Sequence, residues 1–163
     1  MRLLCLDVDG VLTDGGLQYT EDGVEAKIFC TQDGQALKML AAAGIATALI
    51  TGRTSHLLER RARELEIDHV YQGAHDKRAA LADLLERTGL SADAIAHVGD
   101  DIPDLPLFRR VGFAIAPANR HPALDPYVHH LTETRGGQGA VREVCHLLLC
   151  AQGRWAEALT PYL

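Results

Sequence analysis

Two acids one residue apart, Asp7 and Asp9, close an apolar run that begins at Leu3, and Gly10 follows them. An ionised carboxylate at the end of a buried strand is costly unless an opposite charge accompanies it. Residues i and i+2 of an extended chain point the same way, so the two acids face a shared centre while Val8 packs behind them. The counter-charge such a pair calls for is a divalent cation. Magnesium takes oxygen ligands, keeps several waters, and is commonly held by one or two carboxylates together with substrate phosphate, a pattern that Asp7, Asp100 and a phosphate oxygen would satisfy.

Other polar groups complete the chemistry. Thr51 and Gly52, followed by Arg53, offer a hydroxyl and an unobstructed N–H at what reads as a helix start, a place suited to an anion. Lys77, just inside the helix after Asp76, adds a fixed positive charge, and Gly99, Asp100, Asp101 and Asp104 form a further acidic group. Together these describe a phosphate cradle with a carboxylate within reach of phosphorus. An aspartate can attack phosphorus to give an aspartyl phosphate, which water then cleaves. Asp7, deepest at its strand end, is the candidate nucleophile. Asp9, farther out, is the candidate acid that protonates the leaving alkoxide and the base that later deprotonates water. The cation and Lys77 would neutralise the crowded anions.

The elements that must position these groups are strands alternating with helices. Apolar runs end at LLCLDVD, IATALIT (45–51), HVYQG (69–73), IAHVGDD (95–101) and GFAIAP (112–117). Between them lie helical stripes such as Leu58, Ala62 and Leu65, and Leu81, Leu84, Leu85 and Thr88. The expected fold is α/β, a Rossmann-like parallel sheet with helices on both faces, and in such sheets ligands bind outside the carboxyl ends of the strands. Residues 16–30 break the alternation with a β-hairpin flap around Glu21, Asp22 and Gly23, placed beside the acids. After the flap, Asp33 reads as the N-cap of a helix that stops at Gly44, and a C-terminal helix and tail occupy about 139–163, with Pro161 limiting extension.

Composition excludes other classes. With 163 residues and 47% apolar content, the chain is expected to form one domain over 1–163. A net charge of −6 and only eight aromatic residues (one Trp, four Tyr, three Phe) give neither the charge nor the stacking platform of a nucleic-acid binder. No signal peptide or membrane-spanning run is visible, and Cys5, Cys30, Cys145 and Cys150 lack metal-like spacing, so reduced thiols in the cytoplasm are expected. His129 and His130 adjoin a late strand without paired spacing, and no zinc site is expected. The glycines of RGGQG (135–139) read equally as a turn and as an anionic or intersubunit contact.

The motifs DVDGV, ITGR, Lys77 and GDDxxD, in this order, resemble the four motifs of the haloacid dehalogenase superfamily in its phosphatase branch. More narrowly, DVDGVLTDG, the flap, QDG (32–34), YQGAHDK (71–77), GDDIPDLP (99–106) and RGGQGAVREVC (135–145) resemble the 3-deoxy-D-manno-octulosonate 8-phosphate phosphatases over almost the whole chain. The resemblance implies a cap-less fold, a magnesium cofactor, and a cytoplasmic homotetramer whose neighbouring subunit helps close the site. It also implies release of the free sugar acid for lipopolysaccharide synthesis. Carried over by position, Asp7 is the nucleophile, and Asp7, Asp9 (through its carbonyl) and Asp100 are metal ligands. Thr51 and Lys77 hold phosphate. Gly52, Arg53, Arg61 and the segment Cys30, Thr31, Gln32, Asp33 and Gly34 face the sugar acid, and Asp101 and Asp104 support Lys77 and the metal site.

This chain departs from the resemblance at CTQDG, where the family often carries asparagine-valine-arginine-aspartate-glycine, so Gln32 removes a cation. Arg53 favours the eight-carbon acid over the nine-carbon one, whose phosphatases tend to carry glutamate there. The alternatives are a phosphatase for the nine-carbon acid or for a broader sugar phosphate range and, from another class, a non-catalytic or receiver-like phospho-switch domain.

Overall fold

The computed structural model describes residues 1–163. Strand β1 (Leu3–Leu6) is buried along its whole length, as an interior strand of a parallel sheet must be. Its side chains alternate. Leu4 and Leu6 enter one apolar cluster, while Leu3 and Cys5 enter another on the opposite face.

The main sheet contains β1, β4 (Ala46–Ile50), β5 (His69–Tyr71), β6 (Ile95–Val98), β7 (Phe113–Ala116) and β8 (His130–Leu131). Its order is β5-β4-β1-β6-β7-β8, and every pairing is parallel. Helices α1 (Thr31–Ala42), α2 (His56–Glu64) and α5 (Ala140–Ala151) cover one face, through Leu37, Leu40, Leu58 and Val144. Helices α3 (Lys77–Thr88) and α4 (Leu105–Phe108) cover the other, through Leu81, Leu84, Leu107 and Phe108. This is the expected Rossmann-like arrangement. Leu6 stands opposite Leu49 on one side and Val98 on the other, so Asp7, Thr51 and Gly99 leave the sheet along one edge. The chain runs outward from β1 in both directions, and the crevice at that reversal is where α/β sheets bind ligands.

The flap is a short antiparallel hairpin, β2 (Gln18–Tyr19) with β3 (Glu25–Ala26), set apart from the main sheet. Leu17, Tyr19, Val24 and Ile28 on and beside it are exposed.

Three local expectations are corrected. Asp33 does not cap α1. That helix starts at Thr31, and buried Asp33 in its first turn instead accepts from the Arg142 N–H at 2.8 Å, which caps α5. A carboxylate buried between two helices takes whichever donors are unsatisfied, and the first turn of α5 supplies them. Thr51 and Gly52 do not open a helix, because α2 begins only at His56. The intervening loop is pinned to the next strand's exit, where Ala74 N–H donates to Thr51 C=O at 2.9 Å and Ser55 N–H to Gln72 Oε1 at 2.7 Å. The C-terminal helix is two helices, since α5 ends at Ala151, Gly153 (φ +68°) turns the chain, α6 (Trp155–Leu159) follows, and Pro161 lies inside the last 3-10 turn.

Candidate active site

The Asp7 N–H continues the β1 ladder to Val98 C=O at 2.9 Å, which holds its carboxylate at the strand tip, and Asp7 Oδ1 accepts from Val8 N–H at 2.7 Å. The chain then turns at Gly10 (φ +90°). A β-carbon there would fall on the Asp100 carboxylate, so only glycine lets the two acidic loops approach. Asn119 braces the same turn, its Nδ2 donating to Gly10 C=O at 2.9 Å and its Oδ1 accepting from Gly136 N–H at 2.6 Å. The RGGQG loop therefore packs directly on the acidic loop, and a β-carbon at Gly136 would collide with Gly10 C=O.

Lys77 is the first residue of α3, behind an Asp76 cap that accepts from Arg78 N–H at 3.0 Å. Its buried ammonium lies 2.9 Å from Asp7 Oδ2 and 2.7 Å from Asp104 Oδ1. Asp104 is fully buried and is the hub of the site. Oδ1 also accepts from His97 Nε2 at 3.1 Å, and Oδ2 accepts from the N–H groups of Asp100 at 3.1 Å and Asp101 at 3.3 Å. An ionised carboxylate only accepts, so the His97 proton sits on Nε2 and its buried Nδ1 is left without a partner. The Asp101 carboxylate accepts from Ile102 N–H at 2.8 Å and caps the turn that carries Asp104.

Negative charge outweighs positive here. Ligand oxygens of Asp7, Asp100 and Asp104 lie within 4.8 Å of one another, and Asp100 Oδ1 is buried with no hydrogen-bond partner. Burial first, then the Asp104 charge, raises Asp7 to about 6 despite Lys77, and burial with the neighbouring carboxylates raises Asp100 to about 7. Burial works against the Lys77 charge, but Asp104 and Asp7 outweigh it and hold the ammonium above the ordinary lysine value. Burial likewise opposes ionisation of Asp104, yet the bond from His97 and the Lys77 charge keep it below the ordinary carboxylate range. An orphaned carboxylate oxygen in a group of crowded acids is the donor set of a hard divalent cation, so these residues fit magnesium.

A cavity of about 450 Å³ opens over this group, lined by Asp7, Asp9, Thr51, Gly52, Arg53 and Lys77 among others. The Thr51 N–H is taken by Tyr71 C=O at 2.9 Å, while the Gly52 N–H makes no hydrogen bond and is free for an anion. Asp9 belongs to a second network. Its carboxylate pairs with Lys27 of the flap and lies 3.7 Å from Arg53 Nε, and Arg53 Nη2 donates to Glu25 Oε1 at 2.9 Å and Tyr19 at 3.1 Å. Lys27, Glu25, Tyr19, His97 and Asn119 were not anticipated. Lys27 gave one faint signal, a lone cation in the apolar flank AKIF of a flap read as lying beside the acids.

The structure does not bring Cys30 to Gly34 or Arg61 into this cavity. Arg61 Nη2 donates to Cys30 C=O at 3.3 Å, and Arg61 lines a separate groove with Thr31 and Gly34. Gln32 Oε1 accepts from Arg142 Nη1 at 2.7 Å on the α5 side.

A family model described as haloacid dehalogenase-like hydrolase matches residues 30–112. The 3-deoxy-D-manno-octulosonate 8-phosphate phosphatase of Escherichia coli strain K12 is 46% identical over 158 residues, which cover 97% of this chain and 84% of that protein. Among solved structures, the phosphatase of the same name from Moraxella catarrhalis, in complex with magnesium, phosphate and KDO, is similar with a TM-score of 0.97 and 41% identity, over 100% of this chain and 94% of that one. The one from Yersinia pestis has a TM-score of 0.93 and 44% identity, over 94% and 83% of the two chains.

Proposed function

Because this chain belongs to the haloacid dehalogenase-like hydrolases, and within them to the 3-deoxy-D-manno-octulosonate 8-phosphate phosphatases, we propose that it hydrolyses that ester to the free sugar acid and phosphate. The observation that carries the reading is the Asp7 carboxylate at a strand tip, 2.9 Å from a buried ammonium and beside the orphaned Asp100 oxygen. The Moraxella relative is in complex with magnesium, phosphate and KDO, which supports reading this cavity as a site for a cation and a phosphate.

In the proposed mechanism Asp7 Oδ attacks phosphorus, and the bond from phosphorus to the sugar oxygen breaks as Asp9 gives that oxygen a proton. Asp9 then takes a proton from a water molecule that attacks the aspartyl phosphate, which frees Asp7 and releases phosphate. The Thr51 hydroxyl and the Gly52 N–H hold phosphate oxygens, and Lys77 neutralises charge at the transferring group. Asp7, Asp100 and the Asp9 carbonyl would hold magnesium, which offsets the repulsion between a phosphate dianion and the attacking carboxylate. Arg53 stands at the mouth, where the sugar acid leaves the phosphate cradle. Arg61 and the Cys30 to Gly34 segment lie beyond it, and on this reading they act where a neighbouring subunit closes the site. We propose a homotetramer, supported by the exposed Leu17, Tyr19, Val24 and Ile28 of the flap, and a cytoplasmic setting, supported by four unpaired cysteines.

Phosphate release from a panel of sugar phosphates tests the reading. The eight-carbon acid ester should be turned over best and Asp7→Asn should abolish release. Faster turnover of the nine-carbon ester, or wild-type rates in the variant, would refute it. Sedimentation that finds only monomer would remove the tetramer.

A further inference from the structure

Lys27 is the most unexpected charge in the molecule. It directly follows β3 of a hairpin of two residue pairs, beside side chains exposed to solvent, yet its own side chain is only 3% exposed. A buried ammonium is retained only where anions meet it. Two do: Asp9, and Glu25 at 3.6 Å. Arg53 repeats the pattern from the other side, with Glu25 at 2.9 Å and Asp9 at 3.7 Å. The network therefore holds two cations and two carboxylates, and it is already neutral.

A sugar acid phosphate would bring a further carboxylate to this mouth, where it would compete with the resident anions for the two cations. Asp9 is anchored in the loop that Gly10 and Asn119 lock. Glu25 is on the flap and is the replaceable one. The guanidinium fork is also half used. Glu25 engages Nη2, while Nε is buried without a hydrogen-bond partner. A carboxylate that took both Nη2 and Nε would make the bidentate pair for which the guanidinium geometry is suited.

We infer that Lys27 and Arg53 form the seat of the substrate's carboxylate, and that Glu25 fills this seat as an internal stand-in until the substrate displaces it. The inference rests on the phosphatase reading for the identity of its ligand. It makes Lys27 a specificity-determining residue, and it makes the flap the element that distinguishes acidic from neutral sugar phosphates.

Two measurements test it. Steady-state kinetics would compare the eight-carbon acid ester with arabinose 5-phosphate, which has no carboxylate, and calorimetry would follow binding of the free sugar acid without turnover. A lost hydrogen bond between charged groups corresponds to a loss of about tenfold or more. Lys27→Met should lower kcat/KM for the acid ester by about that factor beyond its effect on arabinose 5-phosphate, mainly through KM, and should weaken binding of the free acid comparably. Glu25→Gln should move the other way, with tighter binding of the free acid and a lower KM for its ester. Equal losses on both esters in Lys27→Met would show that Lys27 only positions Asp9, and would overturn the seat. Weaker acid binding in Glu25→Gln would overturn the stand-in. A parent enzyme that fails to hydrolyse the acid ester overturns the phosphatase reading instead, and calorimetry still judges the seat.

Discussion

Removing magnesium should make this fold pH-sensitive in a direction that the acid cluster dictates. Asp7 and Asp100 stand at about 6 and about 7 in the folded chain against an ordinary 3.8, so the metal-free fold binds protons more tightly than the unfolded chain. Groups raised in this way contribute stability below the unfolded value and lose it as pH climbs through the folded one, here between about 4 and 7. Each tenfold change in proton affinity is worth about 1.4 kcal/mol, which puts the two shifts together at no more than ~7 kcal/mol. The two acids interact, and Asp100 is partly open to water, so about half of that, ~3 kcal/mol, is the working figure. For a chain of this size that corresponds to a fall in Tm of ~6–12 °C. Thermal melts in EDTA at about pH 4 and about pH 8 would measure it. Magnesium at about 100 times its Kd adds ~2.7 kcal/mol, and this gain should be larger at the higher pH, where protons no longer compete. The sharpest control is Asp100→Asn, which removes one of the costly charges. In EDTA at about pH 8 it should melt above the parent and show a much weaker response to magnesium. A variant that melts below the parent there would refute the claim that crowding among these acids is what the cation relieves.

Two further outcomes follow from buried contacts. Asp33→Ala removes the acceptor for the Arg142 N–H at the start of α5, and a lost cap with an unsatisfied buried donor should cost about 2 kcal/mol in urea unfolding, with Asp33→Asn losing less. An unchanged midpoint in the alanine variant would mean that α5 is held by its apolar face alone. Gly10→Ala places a β-carbon on the Asp100 carboxylate at φ +90°, so it should abolish both phosphate release and the rise in Tm with magnesium, at a stability cost of about 1–3 kcal/mol. Retention of the magnesium response would show that the two acidic loops can separate without losing the ion.

The strand tips were legible because the chemistry is written where the apolar runs stop. Asp7, Thr51 and Asp100 each follow a strand within two residues, and a parallel sheet brings such positions to one edge whatever the details of packing. The partners of those residues were not legible, since they depend on contacts between distant segments. Asp33 has the residue type of an N-cap and stands where one is expected, yet its donor is 109 residues away on α5. His97 lies inside IAHV, where alternation marks it as core, and nothing local shows that Asp104 will fold back beneath it. Lys27 reaches Asp9 only because of how the hairpin leans over the sheet, and a hairpin of two residue pairs has too little periodicity to fix that direction.

The two acids that share a strand tip are fastened in opposite ways, and the difference matches what each does in the proposed mechanism. Asp7 meets a lysine at the first residue of α3, and that lysine is held by Asp104, whose carboxylate takes four donors from β6, α3 and the loop between Gly99 and Ile102. Nothing there can move without breaking several buried bonds, which suits a nucleophile that must meet phosphorus at a fixed angle. Asp9 meets one cation on a loop and another on the flap, with the Arg53 side chain 40% exposed. The Arg53 partner can be exchanged at smaller cost, which suits a group that must give up a proton in one step and accept one in the next. Val8, fully buried between them, separates the rigid half of the site from the adjustable half.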